Sequence, residues 1–506
     1  MNDESKKKLT LVPLILMIFT SVFGFNNMPR AFYLMGYSAI PWYIISGITF
    51  FLPYAFMMAE FGAAFKEESG GIYTWMERSV GPKYAFVGTF MWYASYVVWM
   101  VSICSTIFIN ISNIIFGTDK TSSLRLFGLN STQVIGLLGI LLIILITYVA
   151  SKGLNWVSKI ASIGGTSVLA INVIFLLGSI VVLIANGGKL AEPITSLKSF
   201  AISPNPSYLS PIAVLSFIVF AIFAYGGTEV VGGVVDQTEN AEKTFPKGVL
   251  FSAIIIAIGY SLGIFLVGIF TKWNSVLASN NVNMANAQYV IMNNFGYQIG
   301  LSLGASKSTA IIIGNWSARI VALSVFLSLM GAFFTLSYAP LRQLIEGTPA
   351  ELWPGKTAEI DDKGVPKYAM WIQCLLVAVM LFLISFGGDI AKVFFARIVL
   401  MTNVAMTLPY VFLCLAYPSF KNNKKINRPF EIFKSRTSVI IATVLTSVTV
   451  GFANIFTIIE PAFSKDIAST LWMIAGPLFF TIVALLMFRR YEKSKNVVKD
   501  NPVKET

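Results

Sequence analysis

The chain has 506 residues, of which 56% are hydrophobic and 12% charged, with 41 Phe, three Cys and no His. Soluble domains are about one quarter charged, so too little polar surface exists here to cover a water-soluble particle. Without His, the His-based triads, imidazole metal sites and His pH switches are excluded together, and Cys104, Cys374 and Cys414 lie in apolar stretches that suit neither a disulfide framework nor a zinc knuckle.

Apolar segments of membrane-crossing length, about 20 residues for a hydrocarbon core of about 30 Å, recur along the whole chain. Twelve are predicted, all helical because lipid offers no partner to an open backbone group. They cover 9–34, 39–60, 83–116, 132–150, 153–186, 208–235, 248–271, 309–343, 367–387, 389–417, 437–460 and 467–488. Lys6, Lys7 and Lys8 precede the first of them, as in a signal peptide, but the apolar run continues past Phe25 without a small-x-small cleavage site and reads as a span. An even number of spans puts both termini on one side. With the N-terminus inside, 26 of the 37 Lys and Arg fall on inner segments and 8 on outer ones, while Arg30, Arg319 and Arg397 lie within spans. The formal charge of +13 is then the mark of a cytoplasmic membrane face and not of a nucleic-acid partner. Segments 1–8 and 489–506 are read as cytoplasmic tails.

Interruptions of these helices carry the functional information. The first span reads Gly24-Phe25-Asn26-Asn27-Met28-Pro29-Arg30 at its middle; Pro29 lacks the N–H a helix needs, and Asn prefers turns to helix interiors. The sixth reads Phe223-Ala224-Tyr225-Gly226-Gly227-Thr228-Glu229, where the Gly pair costs about 2 kcal/mol of helix propensity relative to Ala. The breaks fall in spans one and six, the layout of two five-helix repeats, 9–186 and 208–417, followed by a helix pair at 437–488. In transporters built from inverted repeats, interrupted helices at matching positions point to the substrate site. The plainer reading is that Gly and Pro ease packing of membrane helices.

A family resemblance rests on particular residues. Ala59-Glu60, then Glu67-Glu68-Ser69-Gly70-Gly71-Ile72-Tyr73-Thr74-Trp75 and Gly81-Pro82, resemble the stretch that amino acid permeases of the APC superfamily carry between their second and third helices. Phe220 to Glu229, followed by Asp236-Gln237-Thr238-Glu239-Asn240 and Phe245-Pro246, is similar to that superfamily's sixth helix and its cytoplasmic exit. The nearest likeness is the glutamate/GABA antiporter group, whose sixth helix carries an aromatic-x-Gly-x-Glu element. The resemblance covers spans one to ten. It implies an all-α membrane protein of twelve transmembrane helices, a 5+5 inverted-repeat (LeuT-like) fold plus two C-terminal helices, exchanging amino acids or their decarboxylation products across a bacterial cytoplasmic membrane. Where many members carry a Gly-Ser-Gly type element this chain has Gly24-Phe25-Asn26-Asn27, and the usual Asn-Pro after the sixth helix is Asn240-Ala241. The basic, His-free tail Arg489 to Thr506 does not suit an acid-sensing plug.

Open N–H groups at the first break, over Phe23, Gly24, Phe25, Asn26 and Asn27, are the candidates for a substrate carboxylate. Carbonyls of Phe223, Ala224, Tyr225, Gly226 and Gly227 are the candidates for an ammonium. Ser95, Trp99 and Ser102 share one helical face, which the resemblance places on the pocket and which otherwise reads as helix packing. Thr402 and Asn403 carry the same two readings. Arg30 either attracts a carboxylate or snorkels outward, and Glu229 either titrates and gates or caps and pairs charge. Arg319 and Arg397, towards the outer ends of their spans, read as structural. Span five carries only Lys159 near its start, and span eight offers Ser324, Ser328 and Thr335, hydroxyls of the kind a sodium site uses. No nucleophile–base pair and no phosphate-cradling glycine loop is visible, so no enzyme activity and no cofactor or metal is called for. The expected partners are an amino-acid substrate and the lipid bilayer, with a homodimer as one assembly open to the chain. Proton-coupled symport, or a non-transporting sensor built on a permease fold, are the alternatives.

Overall fold

Segments this apolar must satisfy their backbone groups internally, and the computed structural model, which describes residues 8–500, is helical throughout, with two isolated bridges and no strand among the described residues. Most of the expected N-terminal tail and the last six residues of the C-terminal one lie outside the described residues. In chain order the helices are α1 Leu11–Val22, α2 Asn27–Met35, α3 Ala39–Ser46, α4 Leu52–Ala64, α5 Gly71–Ser79, α6 Pro82–Phe116, α7 Ser131–Ala150, α8 Leu154–Ala185, α9 Pro211–Phe223, α10 Ala241–Phe270, α11 Trp273–Val276, α12 Ala287–Ser302, α13 Lys307–Gly347, α14 Lys367–Phe386, α15 Gly388–Ala405, α16 Leu408–Asn422, α17 Arg436–Phe463 and α18 Ile467–Asp500.

Eleven stretches among the described residues are long and apolar enough to cross a membrane. The first of them, Leu11–Ala64, holds both of the predicted segments 9–34 and 39–60, and its 54 residues far exceed the roughly 20 that one crossing needs. The other ten correspond one to one with the predicted segments from 83–116 onward.

Both expected breaks are present. The chain leaves helical geometry between α1 and α2, and again between α9 and a 3-10 segment over Thr228–Val234. A third break was not expected: segment 389–417 is two helices, α15 and α16, parted at Met406 and Thr407. Pro409 accounts for it, since its ring would clash with the carbonyl of Ala405 in a continuous helix. The loop between 271 and 309 also contains α12, whose 16 residues fall short of the roughly 20 that one crossing needs.

α1 packs against α8, α10 and α13. The approach to α8 needs glycine: a Cβ on Gly165 would lie 2.5 Å from the Leu16 carbonyl oxygen, and one on Gly164 2.6 Å from that of Leu327. The face that bears the start of α1 is closed by polar contacts. There the backbone of Leu9 pairs with Gln237 and Glu239 at 2.8 and 2.9 Å. Arg342 of α13, almost wholly buried, donates to both carboxylate oxygens of Asp236 at 2.7 Å, to Glu346 at 2.7 Å and to the Gly233 carbonyl at 2.9 Å. The opposite face opens into a deep cavity.

Candidate functional site

Each break leaves backbone groups without helical partners, and packing brings the two sets together. At the first, the N–H groups of Phe25 and Asn26 donate to no acceptor, while the carbonyls of Thr20 and Ser21 receive no donor, among the described residues. At the second, Gly227 has φ +115°, and a Cβ there would sit 2.6 Å from the Ser21 carbonyl oxygen, so only glycine lets the two breaks touch. Above them lies a cavity of about 1370 Å³, reaching outward to residues of the 117–119 and 283–293 segments.

Nine of the candidate residues line this cavity: Gly24, Phe25, Asn26, Asn27, Arg30, Trp99, Phe223, Ala224 and Gly226. The others stand off its wall. Phe23 is buried edge-on between Phe19 and Tyr260. Ser95 and Ser102 turn back on their own helix, bonding the carbonyls of Met91 at 3.0 Å and Val98 at 3.5 Å. The wet face of α6 runs instead through Trp99, Ile103, Thr106, Asn110 and Asn113, a helical stripe rotated away from Ser102. Tyr225 is buried, its hydroxyl on the Tyr43 carbonyl at 3.1 Å. Gly227 is packed against α1, as above. Thr402 bonds Val399 at 2.9 Å and Asn403 is exposed; α15 packs on α18 and α6, and it is α16, beyond the third break, that reaches the site.

Glu229 lies beneath the cavity floor. It is 1% exposed, and one carboxylate oxygen accepts from Trp92 Nε1 at 3.1 Å, the Tyr96 hydroxyl at 3.1 Å and the Tyr410 hydroxyl at 3.0 Å. The other oxygen has no partner among the described residues. Three helices therefore converge on a single acid: α6, the 3-10 segment after the second break, and α16. Gly226 sits against the same cluster, since a Cβ there would be 2.8 Å from the Tyr410 hydroxyl.

The outer half of the cavity is rich in amides, from Asn110 and Asn113 of α6 to Asn286, Gln288 and Asn293 around α12. Among the described residues, Arg30 is the only basic one on its wall and Asp119 the only acidic one. Arg30 Nε donates to the Met284 carbonyl at 3.1 Å and the Tyr33 hydroxyl to that of Val282 at 3.0 Å, so α2 is tied to the outer loop. Arg319 lies over the Trp316 ring at 5.2 Å. The residues the sequence did not flag, Trp92, Tyr96, Tyr260, Gln288, Tyr289 and Tyr410, are aromatics or amides within apolar runs or loops. Neither periodicity nor motif marks them.

Comparison with known proteins agrees with this architecture. The family model described as amino acid permease matches residues 9–486. The chain is 52% identical to the inner membrane transporter YjeM of Salmonella typhimurium, covering 96% of each chain. It is 23% identical to the aspartate/glutamate permease AcaP of Lactococcus lactis subsp. cremoris, over 90% of this chain and 86% of that one. It is 22% identical to a glutamate/gamma-aminobutyrate antiporter of Lactococcus lactis subsp. lactis, over 89% and 83% respectively.

Proposed function

The chain belongs to the amino acid permease family, and from that premise we propose that it exchanges amino acids or their decarboxylation products across the bacterial inner membrane by alternating access. It is a multi-pass membrane transporter and not an enzyme. In this reading Leu11–Ala64 crosses twice, giving twelve crossings, two inverted five-helix repeats and cytoplasmic termini, and the cavity opens to the outside. The observation that carries it is the meeting of the two breaks on one cavity floor. The unpaired N–H groups of Phe25 and Asn26, at the positive end of α2, suit a carboxylate. The open carbonyl of Ser21 and that of Ala224, 3.1 Å from the Tyr260 hydroxyl, lie opposite them and suit an ammonium. A zwitterion is thereby held by backbone alone, leaving its side chain to the amide-rich wall and Arg30. That lone cation suits an acidic side chain, and glutamate with its decarboxylation product is the proposed pair, in keeping with the names of the distant relatives.

Purified protein in liposomes loaded with one unlabelled amino acid at a time tests this by counterflow of external label. Glutamate loading should draw in labelled glutamate or γ-aminobutyrate, and absence of counterflow with any amino acid would remove the reading. A second reading, proton-coupled uptake, is favoured by one observation: the buried, half-partnered carboxylate of Glu229 between the breaks and α16.

A further inference from the structure

Tyr260, at the middle of α10, belongs to neither break and touches both. Its ring is wholly buried, packed edge-on against Phe23 at 5.2 Å and Tyr225 at 5.2 Å and tilted against Tyr43 at 5.3 Å. Its hydroxyl stands within hydrogen-bond distance of four groups. The Gly24 N–H and the Asn27 side-chain amide donate to it, at 3.0 and 3.1 Å, while the carbonyl oxygens of Val22 and Ala224 lie 2.6 and 3.1 Å away. A phenol oxygen can accept twice but donate once. The shorter contact assigns that one proton to Val22, whose carbonyl also accepts from the Gly24 N–H at 3.0 Å, and the Ala224 carbonyl is then the one left without a donor. Among the described residues no other group donates to the carbonyl of Ala224, a residue that lines the cavity.

We propose that Tyr260 is the positioning residue that sets the amino-acid site, by locking the two breaks to each other through one hydroxyl and leaving the Ala224 carbonyl of the second break to be completed by the substrate ammonium. The inference rests on the reading that the breaks form the substrate site. Two consequences follow from the proton count. The Gly24 N–H is occupied, so only Phe25 and Asn26 present donors to a carboxylate. In the empty site the two carbonyls compete for one proton; a bound ammonium ends the competition, and the spacing between the carboxylate and ammonium subsites is then fixed by the same oxygen. Binding of a zwitterion and alignment of the half-helices become one event.

The test is Tyr260→Phe, which keeps the ring and its packing, alongside Asn27→Ala and the double variant, each in liposomes with the L-amino acid that gives the strongest wild-type counterflow among the twenty. The half-saturating concentration of Tyr260→Phe should rise about tenfold, the size of one lost charge-assisted contact, with the maximal exchange rate changed less than about twofold and the melting temperature in detergent close to wild type. Asn27→Ala should rise by a smaller factor, and the double variant should equal Tyr260→Phe alone, because both residues act through one oxygen. A merely structural role would lower the melting temperature and the maximal rate while leaving half-saturation unmoved, and that result would overturn the proposal. If Tyr260→Phe fails to fold, an Asn27→Ala protein with wild-type half-saturation overturns it equally. Failure of the wild type to exchange any amino acid would remove the site reading and this proposal together, whereas active wild type with an unaltered Tyr260→Phe removes this proposal alone.

Discussion

Gly227→Ala isolates the contact between the two breaks. Two effects oppose the added methyl. The backbone there has φ +115°, a conformation that costs a residue with a Cβ about 1–3 kcal/mol. The Cβ would also stand 2.6 Å from the Ser21 carbonyl oxygen, well inside ordinary contact, and that oxygen is backbone and cannot rotate away. Overpacking of this kind adds about 1–3 kcal/mol, so rigid accommodation would cost on the order of 2–6 kcal/mol in total. The cheaper response is for the second break to withdraw from α1 by several tenths of an ångström, which widens the gap between the Ala224 carbonyl and the amides of Phe25 and Asn26. Losing one hydrogen bond to a charged substrate group, about 1.5–3 kcal/mol, should raise half-saturation in counterflow roughly ten- to hundredfold. Expression and thermal melting report the part of the cost that is not relieved. A Gly227→Ala protein with wild-type half-saturation and wild-type melting would show that the breaks do not need to touch for binding, and the site would have to lie elsewhere on the cavity wall.

Glu229→Gln keeps the shape of the buried acid and its acceptor for Trp92, Tyr96 and Tyr410; exchange should survive it, whereas abolition of pH-driven uptake by this change would favour proton coupling. Replacing sodium with potassium should leave counterflow unchanged. The hydroxyls of Thr20, Thr335 and Ser21 bond back to carbonyls of their own helices, and glycine contacts close the space between α1, α8 and α13; a sodium-dependent rate would contradict this. In intact cells, a cysteine replacing Asn422 should resist an impermeant thiol reagent and one replacing Asn281 should react, with little background because Cys104, Cys374 and Cys414 are buried; the reverse pattern would invert the topology. Glu431 accepts from Lys421 at 2.6 Å, and this bond holds its carboxyl below the ordinary carboxylate range. Its folded value is the lower one, so the contact stabilises the 423–435 segment above the unfolded range and is lost as pH falls through the folded value. The protection of the Ile432 and Phe433 amides, measured relative to intrinsic exchange at each pH, should fall on acidification, and protection that is flat with pH would refute the link.

The fold was legible where hydropathy alone decides it, because membrane crossing demands long apolar runs, and the two glycine-bearing breaks were legible because Gly, Asn and Pro are costly inside helices. The third break was hidden: Pro409 follows an apolar run with no Gly beside it, and a single Pro is compatible with a kinked continuous helix. The candidate site was more legible as backbone than as side chains, of which Arg30 and Trp99 were flagged and line the cavity. Gly24 to Asn27 and Phe223 to Gly226 line the cavity, apart from Tyr225, since open backbone groups must be where the helix stops. Ser95 and Ser102 do not line it, because a hydroxyl inside a helix can satisfy itself on the carbonyl four residues back. Tyr260 and Tyr410 could not have been picked from 19 tyrosines, since their roles depend on where neighbouring helices place the opposing carbonyls and Glu229.

The closed face specifies what must part if the cavity is to open the other way. Arg342 ties the end of the 3-10 segment to α13 through Asp236 and the Gly233 carbonyl, and Leu9 adds the start of α1 to the same cluster. Above it, Glu229 joins that segment to α6 and α16 through three neutral donors. Both layers are anchored on the chain just after the second break. A swing of that short segment would break all of them together, while Tyr260 carries the first break along with it. Glu60 of α4 works differently: it accepts from Lys421 and from the amides of Ile432 and Phe433, fastening the 423–435 segment to α4 and α16 with no contact to either break. The polar contacts thus divide into a set that would part with the breaks and a set that holds the surrounding helices still. Losing Asp236 leaves the almost wholly buried Arg342 guanidinium with the Glu346 carboxylate and the Gly233 carbonyl but without its bidentate partner, which costs more than losing an exposed ion pair. An Asp236→Asn protein should therefore shift towards an inward-open cavity, read as faster labelling of a cysteine placed at Ser21 from the cytoplasmic side of inverted vesicles. Unchanged labelling from that side would mean that the Arg342 cluster does not hold the inner face shut.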